Sequence, residues 1–184
     1  MDRTDRVIEA FPSIESIADE SLREGVLTAW STAMADNGID DLEGIHWYPP
    51  MQAALAIPDE TLVPHVREVV AAAGGLTDVF EGRPGLDLDR DVVLAGALVH
   101  DVSKLYEFDG DEPTEIDELL GHPHFGIHVA AQAGLPVEVQ HAVAAHSPNT
   151  AIEPATIEAE IVCRADEVAA SAIKLRGVDD LREA

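Results

Sequence analysis

In "LVHDVSKLYEF" an aliphatic run, Val92 to Val99, stops at His100 and Asp101, and Lys104 follows three residues after Asp101. Imidazole nitrogen beside carboxylate oxygen suits first-row divalent metals such as Mn, Fe, Co, Ni or Zn. Four more residues of these two types interrupt apolar patterns elsewhere. His65 lies three residues after Leu62 and four before Val69, on the apolar stripe of its own segment. Asp166 lies four after Val162, between Ala165 and Ala169. A buried lone carboxylate is costly unless it is protonated, paired or bound to a cation. His122 opens one apolar segment and His146 closes another. The only thiol is Cys163, so a thiolate-rich structural zinc site is not expected. Lys104, four residues after His100, shares its helix face, and an ammonium group there suits an anionic, phosphate-bearing substrate.

Each of the six has an ordinary reading by itself. His65 reads as a core histidine with one hydrogen bond. His100 and Asp101 read as a helix C-terminus, where His is favourable near the dipole. Asp166 reads as a partner for Arg164 or Arg67, His122 as a turn residue and His146 as a C-terminal cap. Their conjunction, each at an inward face or an end, outweighs those separate readings.

The elements that must position these residues read as helices. Periodicity predicts one over 13–36, closed by Asn37-Gly38, and a second over 62–73, ended by Gly74-Gly75. A third, 89–104, is apolar on nearly every side and therefore central. Residues 40–60 read as a connection and 109–117 as an acidic loop. Helices follow over 123–133, 136–145 and 154–176, each with a proline at its start, and Gly134 follows the first and Gly177 the last. No segment alternates as a strand. The expectation is a single all-α domain: an additional N-terminal helix and connection (1–60) packed on a core bundle (61–177), then a tail (178–184).

The 184 residues are 46% hydrophobic, enough for one domain with a core. There are 36 acidic residues against 11 basic, a net charge of -25. Such a surface repels phosphate backbones and anionic membranes, so no nucleic-acid duplex and no membrane is expected as partner. No apolar run approaches the roughly 20 residues a bilayer requires. The lone cysteine and the charged N-terminus point to a reducing, cytoplasmic compartment. Only two lysines occur, Lys104 and Lys174. Acidic, lysine-poor composition of this kind resembles proteins of salt-accumulating halophiles. The sequence leaves room for a homo-oligomer.

The order His, His-Asp, Asp on helices resembles the HD domain superfamily of metal-dependent phosphohydrolases. "LVPHVREVV", "LAGALVHDVSKLYEF", "GHPHFGIHVA", "VQHAVAAHS" and "IVCRADEVAA" resemble its successive motifs. The resemblance implies a helical HD-domain bundle in which His65, His100, Asp101 and Asp166 hold one divalent metal. It implies that His122 and His146 hold a second in dinuclear members, with Asp101 bridging, so one or two metals per chain. It further implies hydrolysis of a phosphate ester, a nucleotide or other small anionic molecule, with Asp101 as ligand and proton acceptor and Lys104 on the phosphoryl oxygens. Some members with the same six residues are di-iron oxygenases, and a metal- or anion-binding regulatory module is a third reading. Ser103 stands where many members have glycine. His124 and His128 are four apart but read as surroundings or surface, and His46 and His141 receive no role. In "HWYPP", Trp47 and Tyr48 read as loop anchors before pocket residues.

Overall fold

A computed structural model describes residues 2–148 and 150–183. In chain order it contains α1 (Arg3–Ala10), a 3₁₀ turn (Pro12–Ser16), α2 (Glu20–Asp36), α3 (Pro49–Leu55), α4 (Leu62–Phe80) and α5 (Arg90–Val99). Then come α6 (Lys104–Glu107), a hairpin of β1 (Phe108–Asp109) and β2 (Glu112–Pro113), α7 (Glu115–Leu119), α8 (His122–Gln132), α9 (Val137–Ala145), α10 (Ile157–Lys174) and a 3₁₀ turn (Leu181–Glu183). The two strands pair antiparallel, Phe108 with Pro113 and Asp109 with Glu112. The architecture is all-α apart from this hairpin.

α5 is the axis of the bundle. Every residue from Val92 to Val99 is buried. α4, α9 and α10 pack around it and α2 closes a further side. At Gly96 the helix α5 comes close to α9: a Cβ there would lie 3.0 Å from the Ala142 methyl. The last carbonyls of a helix have no partner within it. In α5 they find them in side chains: Trp30 Nε1 donates to the Leu98 carbonyl at 2.9 Å, and His100 Nδ1 to that of Ala97 at 2.7 Å. The bundle's most buried helix therefore stops at its centre, in a turn that carries His100, Asp101 and Ser103.

Several expected boundaries move, each for a physical reason. The helix expected over 13–36 is split, because Asp19 caps a fresh start by accepting from the Leu22 N–H at 3.0 Å. α4 runs through Gly74 and Gly75 to Phe80. Each glycine costs about 1 kcal/mol against alanine, and the turns beyond them bury Thr77, whose hydroxyl donates to the Ala73 carbonyl at 2.9 Å, and pack Leu76 against the core. The helix expected over 89–104 breaks after Val99, so Lys104 opens α6 and does not continue the face of His100. The connection 40–60 contains α3, the acidic loop 109–117 contains the hairpin and the start of α7, and α1 precedes the expected N-terminal helix.

Gly126 fixes how closely α8 approaches the end of α5. A Cβ there would sit 2.7 Å from Val143 Cγ1, 3.4 Å from Ser103 Oγ and 3.9 Å from the His100 carbonyl oxygen. Val143 is a short, branched, buried side chain and has little room to yield. Gly126→Ala is expected to lower stability by about 1–3 kcal/mol through overpacking, read from denaturant unfolding. An unchanged midpoint would show that α8 can retreat without loss.

Candidate metal centre

Six donors from five segments converge in the middle of the bundle. His65 comes from the buried stripe of α4, His100 and Asp101 from the turn after α5, and His122 from the first residue of α8. His146 follows the last residue of α9, and Asp166 lies in α10. They form two triads: His65, His100 and Asp166 in one, Asp101, His122 and His146 in the other, with donor atoms within 4.8 Å of one another in each. Within the first, His65 Nε2 lies 3.1 Å from Asp166 Oδ1 and 3.4 Å from His100 Nε2. Donors around a metal at roughly 2.0–2.2 Å are themselves roughly 3–3.5 Å apart, so this spacing fits one ion.

Asp101 joins the triads. Its Oδ2 lies 3.4 Å from His65 Nε2 and 3.5 Å from His100 Nε2. Its Oδ1 lies 3.7 Å from both His122 Nε2 and His146 Nε2. Its residue is only 2% exposed. One carboxylate thus offers an oxygen to each side.

The imidazoles are set with lone pairs inward. A carbonyl oxygen accepts only, so Nδ1 of His100 carries the proton it gives to Ala97, and Nδ1 of His146 the proton it gives to Val143 at 2.7 Å. Nε2 of each is then a bare acceptor facing other acceptors. For His146 this atom is buried without a hydrogen-bond partner. Acceptors gathered away from water, with too few protons among them, are the expected pattern for a cation site. Ser103, in the position where glycine was the comparison, donates its hydroxyl to the His122 carbonyl at 2.9 Å and tethers the start of α8.

Charges follow the same geometry. Burial pulls the His65 imidazole down, but Asp101 and Asp166 outweigh it and push it up to about 9. Burial would raise Asp101, yet Lys104 and the imidazoles hold it well below the usual carboxylate range. Burial likewise opposes the lowering of Asp166, which its contact with His65 brings about. His122 is pushed well below the ordinary imidazole value by burial and by Lys104. Lys104 stays charged although almost wholly buried, because Asp101, Glu107 and Asp166 outweigh desolvation.

The surrounding residues resolve the remaining sequence readings. Asp166 pairs with neither arginine: Arg164 binds Glu160 and Glu167, and Arg67 binds the carbonyls of Ala10 and Glu9. His46 contacts Asp111, and His141 accepts from the Ala155 N–H, both at 2.9 Å. His124 and His128 are exposed, outside both triads. Trp47 and Tyr48 do more than anchor a loop. With Met51, Lys104, Pro123 and Lys174 they line a cavity of about 260 Å³ that opens on Asp101, His122 and Asp166. The Trp47 ring lies 5.5 Å from that of His65, and the Lys104 ammonium 5.0 Å from the centre of the Tyr48 ring. Sequence reasoning missed Glu107, which is fully buried with its Oε1 3.9 Å from His122 Nδ1. Burial lifts it to about 7. An acid among apolar neighbours in "KLYEF" was its only signal.

The HD domain family model matches residues 62–171. The chain belongs to the HD domain family. A curated relative, the dihydroneopterin 2',3'-cyclic phosphate phosphodiesterase of Methanocaldococcus jannaschii, is 31% identical over 167 residues, 83% of this chain. The chain spans 64% of that relative's length. No solved structure matches the chain significantly. Among the described residues no helix is long and apolar enough to cross a membrane.

The charge pattern predicts how metal uptake depends on pH. His65 holds its proton up to about 9, whereas a ligand must give up its proton to bind. Metal affinity should therefore rise from pH 6 to about 9, with protons released, in calorimetric titrations run in buffers of different ionisation enthalpy. Pairing of protonated His65 stabilises the metal-free fold fully below about pH 6.5 and fades as pH rises through about 9. The contributions of Asp101 and Asp166 are present above the ordinary carboxylate value and fade as pH falls. Metal affinity flat across this range would contradict the assignment of His65.

Proposed function

We propose that the protein hydrolyses a small phosphate ester, a cyclic phosphodiester foremost, with one or two divalent metals held by His65, His100, Asp101, Asp166, His122 and His146. The observation that carries this reading is the Asp101 carboxylate, buried with one oxygen toward each triad. Family membership and the printed activity of the archaeal relative support it. A divalent metal there would polarise the phosphoryl group and lower the pKa of the attacking water.

The chain's own groups do the rest. Asp101 is held anionic, and each of its oxygens has two lone pairs, which suits it as a ligand toward both sides. The role of acceptor for the water's proton is assigned to it as part of this proposal. Lys104, held charged against the face of Tyr48, balances the phosphoryl oxygens. Trp47 and Tyr48 form an aromatic wall of the cavity that suits a planar ring on the leaving group. A cavity of about 260 Å³ matches a small molecule and not a polynucleotide. The acidic surface is compatible with an anionic substrate because these local cations offset it. A cytoplasmic location remains part of this reading.

Elemental analysis of the purified protein should find one or two divalent metals per chain. Reloaded with Mn, Fe, Co, Ni or Zn, it should hydrolyse 2',3'-cyclic nucleotides, dihydroneopterin 2',3'-cyclic phosphate or bis-p-nitrophenyl phosphate. Asp101→Asn should lower the rate by about 100-fold or more, since even outer partners of metal ligands contribute 10–100-fold. Absence of metal, with stability indifferent to chelators, would sink the proposal. Two irons per chain with visible absorbance and oxygen consumption, and no phosphate ester cleaved, would replace it with the oxygenase reading. Metal binding without any turnover would leave a binding module.

A further inference from the structure

The chain has two lysines, and both line the same cavity beside the triads. Among the described residues neither makes an ion pair with a carboxylate within 4.0 Å, in a chain with 36 acidic residues, whereas Arg3, Arg6, Arg90, Arg164, Arg176 and Arg182 all do. For Lys174, the neighbouring positions on its own helix face hold no acid. The positions three and four residues away on either side are Ala170, Ser171, Gly177 and Val178. Elsewhere the same helix carries Glu158, Glu160 and Glu167.

Placement gives this cation something to do. Asp166, Ala170 and Lys174 step by four along α10 and all three line the cavity. Four-residue steps keep them on one face, roughly 6 Å of rise apart. Side chains on a helix slant toward its N-terminus, so a lysine at this position can reach back past Ala170 into the part of the cavity beside Asp166. Ala170 has only a methyl group, and the space above it is part of the cavity.

We propose that Lys174 is a second cationic contact for the substrate's phosphoryl group, acting from α10 while Lys104 acts from the turn after α5. The inference rests on the phosphohydrolase reading above and deepens it. In hydrolysis of a phosphodiester, the water oxygen forms a bond to phosphorus and the bond from phosphorus to the leaving oxygen breaks. One proton leaves the water and one is taken up by the leaving oxygen. As the water gives up its proton and attacks, negative charge on the phosphoryl oxygens grows in the transition state beyond the single charge of the diester, so a cation at this position binds that state more strongly than the substrate and raises the rate. A lysine in the last turn of a helix also complements the dipole. That role moves stability alone and leaves phosphate affinity untouched.

The test uses the full, metal-loaded chain with Lys174→Gln and Lys174→Arg. Inorganic phosphate binding is measured by calorimetry, hydrolysis of 2',3'-cyclic AMP by kinetics, and metal content and melting temperature are checked for each. Lys174→Gln should bind phosphate about 10-fold more weakly and lose about 10-fold or more in kcat/KM, as expected for losing one charged hydrogen bond. Metal content should stay at the wild-type level and Lys174→Arg should recover most of the loss. The salt dependence of phosphate binding should be shallower in Lys174→Gln. Wild-type phosphate affinity and kinetics in Lys174→Gln, with only the melting temperature changed, would overturn this inference alone. A metal-loaded wild type that neither binds phosphate nor cleaves any ester would overturn it together with the function on which it rests.

Discussion

The Asp101 carboxylate is an anion at the centre of the bundle, and burying it would cost several kcal/mol if it stood alone. It does not. Four imidazoles face its two oxygens, two on each side. Those imidazoles come from α4, the end of α5, the start of α8 and the end of α9, so the ring of donor atoms around the carboxylate is complete only when all of these elements have docked, with the Lys104 charge nearby to hold it anionic. The helix ends are finished accordingly. Trp30 and His100 take up the last carbonyls of α5, Ser103 ties down the first residue of α8, and Gly126 lets α8 close on the turn. Each of these details serves the position of one charged group.

Around that centre the N-terminal part of the chain builds the wall of the cavity. Residues 45–61 are fastened by backbone and side-chain bonds of their own. The Leu62 N–H donates to the Ile45 carbonyl at 2.9 Å, and the buried Gln52 amide reaches the Glu60 carbonyl at 2.9 Å. Arg176 clamps Asp59 and Glu60 to the end of α10. Trp47 and Tyr48 are thereby held over His65 and Lys104 as fixed surfaces. In a chain of net charge -25, the two lysines are both spent on this cavity. A local cationic pocket within a strongly acidic molecule can draw an anion that the surface as a whole repels.

Much of this was legible in the sequence because helix periodicity reports burial directly. His65 on the stripe of α4 and Asp166 on that of α10 were marked as inward by their spacing alone. What spacing could not report was where a helix yields to packing. Gly74 and Gly75 read as a stop, but the helix continues to Phe80 and packs Leu76 and Thr77 inward. The apolar run into His100 read as one helix to Lys104, but the side chains of Trp30 and His100 satisfy the carbonyls of a stop at Val99. Glu107 and the aromatic pair gave weak local signals, since their partners are distant in the chain.

By itself the sequence determined which residue types are available, the inward faces of their helices and the all-α class, because each depends on neighbours within a few turns. Only the tertiary structure decided which donors stand together. His100 and Asp101 are adjacent in the chain, yet His100 stands with His65 and Asp166, while Asp101 turns one oxygen to that side and the other to His122 and His146. Consecutive side chains at a helix end diverge in direction, so their partners are chosen by the helices packed against them, a distance set by the whole bundle and by no local pattern.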